Sequence, residues 1–144
     1  MSAERKIDPF AIMILILSIL GIVLLAPFEF AAFDLGGGYI RYSCLTCDYA
    51  TTGDLIAQIF IIILLIIQII IALNELLPNR FIDKDLDKIG IGLAGLTFLF
   101  AIIGIASFGI AYSSYEWWPE LGAYASIVVG ILNGLLFFLK DRNK

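Results

Sequence analysis

Residues 55–77 read LIAQIFIIILLIIQIIIALNELL. The run is almost uninterruptedly aliphatic and has no charge before Glu75. As a helix rising ~1.5 Å per residue it is long enough to cross the ~30 Å hydrocarbon core of a bilayer. Lipid offers no partner for backbone N–H and C=O groups, so a spanning segment of this kind must satisfy them internally, as a helix. Three further blocks follow the same rule: 9–25 (PFAIMILILSILGIVLL), 89–112 (IGIGLAGLTFLFAIIGIASFGIAY) and 121–139 (LGAYASIVVGILNGLLFFL). The chain of 144 residues is 61% hydrophobic, well above the roughly 45–50% of soluble domains. The expected fold is therefore all-α: a single four-transmembrane-helix bundle over residues 1–144, with outer loops at 28–53 and 113–120 and an inner loop at 78–88.

The basic residues orient it. Arg5 and Lys6 precede the first block, Arg80, Lys84 and Lys88 separate the second from the third, and Lys140, Arg142 and Lys144 follow the fourth, which leaves Arg41 as the one basic residue on the other side. The positive-inside rule then makes both termini cytoplasmic in a cell-membrane protein. The apolar core of the first block is longer than a signal-peptide core and no A-x-A site follows it, so it is expected to stay as a span.

Several function classes drop out. Histidine is absent, which removes the usual haem ligand, the commonest transition-metal ligand and any Ser-His or Cys-His nucleophile. A net charge of −4 does not suggest nucleic-acid binding. No cofactor is expected. The outer side is acidic: Glu29, Asp34, Asp48, Asp54, Glu116 and Glu120 face Arg41. This reads as a solvated surface, with attraction of a basic partner as the sharper alternative.

In the first outer loop, Gly36–Gly38 make a break and "YIRYSC" alternates as a short strand or hairpin would. Thr52 or Asp54 is a suitable cap for the second helix. Tyr115, Trp117 and Trp118 in the second loop are expected as interface anchors. The inner-loop charges Asp83, Lys84, Asp85, Asp87 and Lys88 alternate in sign and read as solvation of the turn.

The third and fourth helices are rich in small residues. Gly90, Ala94, Thr97, Ala101, Gly104 and Ala111 share a seam interrupted by Phe108, and Gly122, Ser126, Gly130 and Gly134 repeat every four residues. Small-xxx-small stripes let helices approach closely in lipid, either within one bundle or against a second protein. Gln68 near the middle of the second helix and Asn133 in the fourth are the intramembrane polar groups, with Glu75 seven residues beyond Gln68 on nearly the same face. Such residues default to a functional hypothesis, although uncharged amides often serve as interhelical glue. With no charge expected at mid-depth, transport by a single copy is not indicated.

The layout, with inside termini and a long, cysteine-bearing first outer loop, resembles the claudin, peripheral-myelin-protein and stargazin-like superfamily. "GYIRYSC" is similar to its Gly-Leu-Trp-x-x-Cys signature, with Gly38 and Cys44 in the corresponding places, and the glycine-rich third and fourth helices share its texture. The chain departs at the signature Trp, where Tyr39 or Ile40 stands, and in the two-residue spacing of its cysteines. The resemblance implies a left-handed bundle with a small outer β-layer and no catalysis, acting as a scaffold, homo-oligomer or accessory subunit of another membrane protein.

Cys44 and Cys47 stay open at this point. On an oxidising face they make a structural clip, half a metal site, or a redox pair. The last is the alternative function: a membrane thiol–disulfide oxidoreductase coupling Cys44/Cys47 to quinone, as four-helix enzymes with a Cys-x-x-Cys in the first outer loop do. Those enzymes use a second cysteine pair, which "SSYEWWPELG" lacks, and Asp48 would oppose thiolate formation. The balance favours a clip. Association is expected on the Gly122–Gly134 ladder and recognition on the loop 36–53.

Overall fold

The structure is a computed structural model and describes residues 8–25, 30–34, 39–40, 51–77, 79, 82 and 84–142. Four helices carry the fold: α1 (Pro9–Leu25), α2 (Thr52–Leu76), α3 (Asp87–Ala111) and α4 (Leu121–Arg142). Between them lie β1 (Ala31–Asp34), β2 (Tyr39–Ile40) and β3 (Trp117–Pro119). The helices α2, α3 and α4 are long and apolar enough to cross a membrane, whereas α1 is shorter, at 17 residues. In packing order each helix lies against its chain neighbour and α1 closes the ring against α4.

Local chemistry sets the boundaries. Pro9 opens α1, where its missing N–H costs nothing, and the Asp8 carboxylate accepts from the Phe10 N–H at 2.9 Å. The cap of α2 is Thr51 rather than Thr52 or Asp54: the Asp54 N–H donates to Thr51 Oγ1 at 3.3 Å while the Asp54 carboxylate reaches back to the Thr51 N–H, a closed capping box. That box starts α2 three residues before the expected 55. The connection from α2 to α3 is held by Asn74, whose Nδ2 donates to the Ile82 carbonyl at 3.0 Å and whose Oδ1 accepts from the Ile82 N–H at 2.9 Å. Helix α3 begins at Asp87 rather than 89, and α4 runs to Arg142 rather than 139, because Asp87 and Lys140 are buried partners rather than turn and tail.

Of the expected strand YIRYSC, Tyr39 and Ile40 form β2 and residues 41–44 lie outside the described residues; β2 is part of a larger unit. The sheet has order β2–β1–β3, all antiparallel, and its third strand comes from the second loop. Phe33 pairs with Ile40 on one side and with Trp117 on the other. The Glu120 N–H donating to the Phe30 carbonyl at 2.8 Å and the Asp34 N–H donating to the Glu116 carbonyl at 2.7 Å extend the ladder at both ends. Phe30, Ala31, Ala32 and Phe33 are all buried, so β1 lies on the bundle as its lid. Phe33 stacks on Tyr112 with ring centres 4.2 Å apart, and Phe108 meets Trp117 edge-on at 6.1 Å. Trp117 therefore packs into the sheet end. A Cβ on Gly109 would lie 2.2 Å from its ring, which is why that position carries glycine.

Candidate functional site

Two tiers of polar side chains join all four helices, the second through Asp8 at the cap of α1. The middle tier is Ser18 of α1, Gln68 of α2, Thr97 of α3 and Asn133 of α4, all with no measurable exposure. Asn133 Nδ2 donates to Ser18 Oγ at 2.9 Å and to Gln68 Oε1 at 2.8 Å. Gln68 Nε2 donates onward to Thr97 Oγ1 at 2.9 Å and to the Leu64 carbonyl at 3.2 Å, and the Thr97 hydroxyl donates to the Leu93 carbonyl at 2.9 Å. The chain of bonds is continuous from α1 to α3. Asn133 Oδ1 alone in this tier is a buried oxygen without a hydrogen-bond partner.

The second tier lies where α1 and α3 begin and α2 and α4 end. Lys140 Nζ is 2.9 Å from Asp87 Oδ1, 3.5 Å from Glu75 Oε2 and 3.7 Å from Asp8 Oδ2. Asp87 is fully buried, and Glu75 and Lys140 are nearly so. Low dielectric makes these contacts strong and makes the loss of any partner costly. The two tiers repeat because helix geometry repeats: Gln68 to Glu75 and Asn133 to Lys140 are each one heptad, about 10 Å of rise. The Gln68/Glu75 register is visible in the sequence. Asp87 was expected to solvate the turn and Lys140 to follow the fourth helix; both are buried, Asp87 in the first turn of α3 and Lys140 in the last turns of α4. The signal that could have found them is the same heptad, which runs on from Asn133 to Lys140.

A third set of polar groups lies at the start of α2. Asp54 is buried, and its Oδ2 accepts from Gln58 Nε2 at 3.2 Å, also buried. Among the described residues, one set of carboxylates is close enough to share a cation: an oxygen from each of Asp85, Asp87 and Asp141 lies within 4.8 Å of the others. Asp85 Oδ1 already accepts from the Asp87 N–H at 3.0 Å, and Asp87 Oδ1 is held by Lys140.

The small residues pack inside the bundle. Gly130 faces the α3 backbone, and a Cβ there would stand 2.9 Å from Phe98 N. A Cβ on Gly134 would meet the Ala94 Cβ at 3.6 Å. Gly122 and Ser126 are buried, with the Ser126 hydroxyl bonded to the Gly122 carbonyl at 2.8 Å. Gly104 faces Phe30 and Ala57. Cys44 and Cys47 lie outside the described residues. The chain matches no protein-family model, no curated protein and no solved structure.

Proposed function

We propose that this chain is a non-enzymatic, four-span integral membrane module of claudin-like type, serving as a scaffold or accessory subunit. Its partner is engaged through the sheet β2–β1–β3 and the loop 36–53. The observation that carries the reading is the division of labour in the bundle. Ser18, Gln68, Thr97, Asn133, Asp87 and Lys140 are spent on one another, and Gly130 on the Phe98 backbone. That leaves an apolar outer belt, including Ile16, Ile63, Leu99 and Leu135, suited to lipid. The sheet end then supplies the exposed polar and aromatic side chains Tyr115 and Glu116.

In this reading α1 is the fourth span, at the short end of the roughly 17–25 residues that cross a bilayer. A small antiparallel sheet at one end of four helices also supports the claudin-like resemblance. Association then belongs to the outer layer, since the α4 ladder is occupied by α3. The test is the size of the particle in a native nanodisc extract, together with crosslinking from a reactive group placed at Glu116. A mass above the monomer and a crosslink from Glu116 to the second protein are expected. A strict monomer without a co-purifying protein overturns the proposal.

A further inference from the structure

The helices of the bundle are not equally tied. Among the described residues, α2, α3 and α4 are joined to one another by Gln68–Thr97, Asn133–Gln68, Lys140–Glu75 and Lys140–Asp87. Glycine closes the α3–α4 seam as well, with Gly130 against the Phe98 backbone. Helix α1 and its cap have two polar side-chain ties to the rest. Ser18 Oγ accepts from Asn133 Nδ2 at 2.9 Å, and Asp8 Oδ2 lies 3.7 Å from Lys140 Nζ. If both are removed, every one of the bonds among α2, α3 and α4 remains, and Lys140 keeps Asp87 at 2.9 Å and Glu75 at 3.5 Å.

The packing of α1 is uneven along its length. In its second half Leu25 is fully buried, in one apolar cluster with Phe30, Ile61, Leu65 and Val129. Gly21 brings the backbone so near α2 and α4 that an added Cβ would stand 3.1 Å from Leu65 Cδ1 and 3.3 Å from Val129 Cγ2. In the first half the seam with α4 parts. A wholly apolar groove of about 400 Å³ lies there between Met13, Ile16 and Leu17 of α1 and Leu132, Leu135 and Leu136 of α4. Ile14, on the inner face of that half, is buried in a cluster with Ile71, Leu136 and Phe137. In lipid such burial is a weak restraint, because acyl chains are as apolar as the side chains they replace. Close packing and hydrogen bonds are what hold helices together there. The first half of α1 has an open seam in place of the one and a single long ion pair in place of the other.

We infer that α1 is a swinging arm, pivoting about Gly21 and Leu25 and latched at its free end by the Asp8–Lys140 pair. The two oxygens of Asp8 divide the work. Oδ1 accepts from the Phe10 N–H and so moves with α1, and Oδ2 bridges to α4. This bridge is the longest of the three contacts of Lys140. The Asp8 side chain is 28% exposed, against 7% for Glu75 and 0% for Asp87. Mobile ions therefore screen the latch and leave the two buried pairs in place. Raising the ionic strength at the Lys140 end opens the first half of the α1–α4 seam, while the sheet end stays closed. The inference rests on the membrane reading above, since in water the burial of Ile14 and its neighbours would itself hold the arm shut.

Membranes carrying the full chain, with Cys44→Ser and Cys47→Ser, are first washed with alkaline carbonate, and the protein is then placed in lipid nanodiscs. Spin labels go on cysteines at one of three pairs of exposed positions. Met13 with Leu135 reports the first half of α1 against α4, Val23 with Val128 the second half, and Leu99 with Ile131 the α3–α4 seam. Electron paramagnetic distance measurement reads each pair at low and at high salt. Two distances are expected for Met13–Leu135, the longer rising in population by up to about fivefold with salt, the range of an exposed ion pair. Asp8→Asn, which keeps the helix cap, holds that population at its high-salt level and removes the salt response. Ser18→Ala raises the longer distance at every salt and keeps the response. The other two pairs hold one distance throughout. A single, salt-independent Met13–Leu135 distance overturns the inference, as does a salt response that survives Asp8→Asn. Equal broadening of all three pairs overturns it too, in favour of a bundle that loosens as a whole. Release by carbonate overturns the membrane reading as well, whereas a carbonate-resistant protein with one fixed distance loses only the arm.

Discussion

The two ends of the bundle close by opposite physics. At the sheet end, Phe30, Phe33, Phe108, Tyr112 and Trp117 form an aromatic lid in which no single contact is decisive. At the other end, one lysine from α4 holds carboxylates from α2, from α3 and from Asp8, the residue that precedes α1. Dispersion and apolar burial are sums of many small terms, so a lid made of them should weaken by degrees. A buried ion cluster is a single electrostatic unit, and removing its one cation leaves like charges facing each other in a poor solvent. The comparison predicts graded loss at one end and abrupt loss at the other.

The sharpest way to break that comparison is Lys140→Met. It keeps the volume and leaves Asp87 buried without the ammonium 2.9 Å away. A destabilisation of about 3–5 kcal/mol is expected in reversible unfolding by detergent titration. Adding Asp87→Asn should recover a large part of it. A single-variant cost below about 1 kcal/mol would mean that the cluster is solvated and contributes as a surface pair does.

At the sheet end the corresponding change is Phe108→Ala. Phe108 is fully buried between Phe33, Tyr112 and Trp117. Its removal should cost about 3 kcal/mol, and Trp117→Ala, which is only half-buried, should cost less. Tryptophan fluorescence gives an independent readout, because loosening the lid exposes Trp117. An all-or-none response here, with the sheet lost in either variant, would erase the difference between the ends.

A smaller effect distinguishes side-chain from backbone crowding. Gly130→Ala brings a methyl to 2.9 Å from Phe98 N, part of a helix that cannot swing aside, and should cost about 2 kcal/mol. Gly92→Ala and Gly95→Ala meet nothing within 4 Å and should be neutral or stabilising by less than about 1 kcal/mol. Thermal unfolding of the three variants side by side tests whether the α3–α4 seam is set by backbone approach.

Much of this was legible in the chain. The span 9–25 matches α1 residue for residue, and the seam through Gly90, Ala94, Thr97, Ala101 and Gly104 is the buried face of α3, interrupted by Phe108 as expected. Ala111 is the exception and is exposed. Hydropathy and period 3.6 are local properties, so they survive in a single sequence. The sheet is less local. AAFD is too short and too apolar to announce a strand, and it becomes one because WWP, more than eighty residues later, supplies its ladder. Lys140 and Asp87 were misplaced for a related reason: charged residues at a hydrophobic boundary look solvated until a partner on another helix is known. The capping box shifted the start of α2 because Thr51 and Asp54 act as a pair, whereas residues judged singly leave Thr52 and Asp54 as equally suitable caps.

The middle tier tests whether buried polarity here stabilises or specifies. Asn133 makes two side-chain bonds but leaves Oδ1 unmet, so its net worth is smaller than its bond count suggests. Asn133→Leu loses those bonds and strands Gln68 Oε1, while also removing the unmet oxygen, and the balance should be a loss of about 1 kcal/mol. Gln68→Leu in the same chain removes the stranded group as well and should return most of that stability. What the double variant should not recover is register. With no directional bond linking α1, α2 and α4 at mid-bundle, register there rests on the apolar faces and on the distant Lys140 cluster, and the helices are freer to slip. Disulfide trapping between cysteines placed at Ile14 and Leu136 should then spread from one efficient pairing to several neighbouring ones. If the double variant keeps a single trapped register at parental stability, packing and the charged tier specify the bundle without the amides. The mid-bundle amides would then be spare polarity, and only the charged tier would distinguish one end from the other.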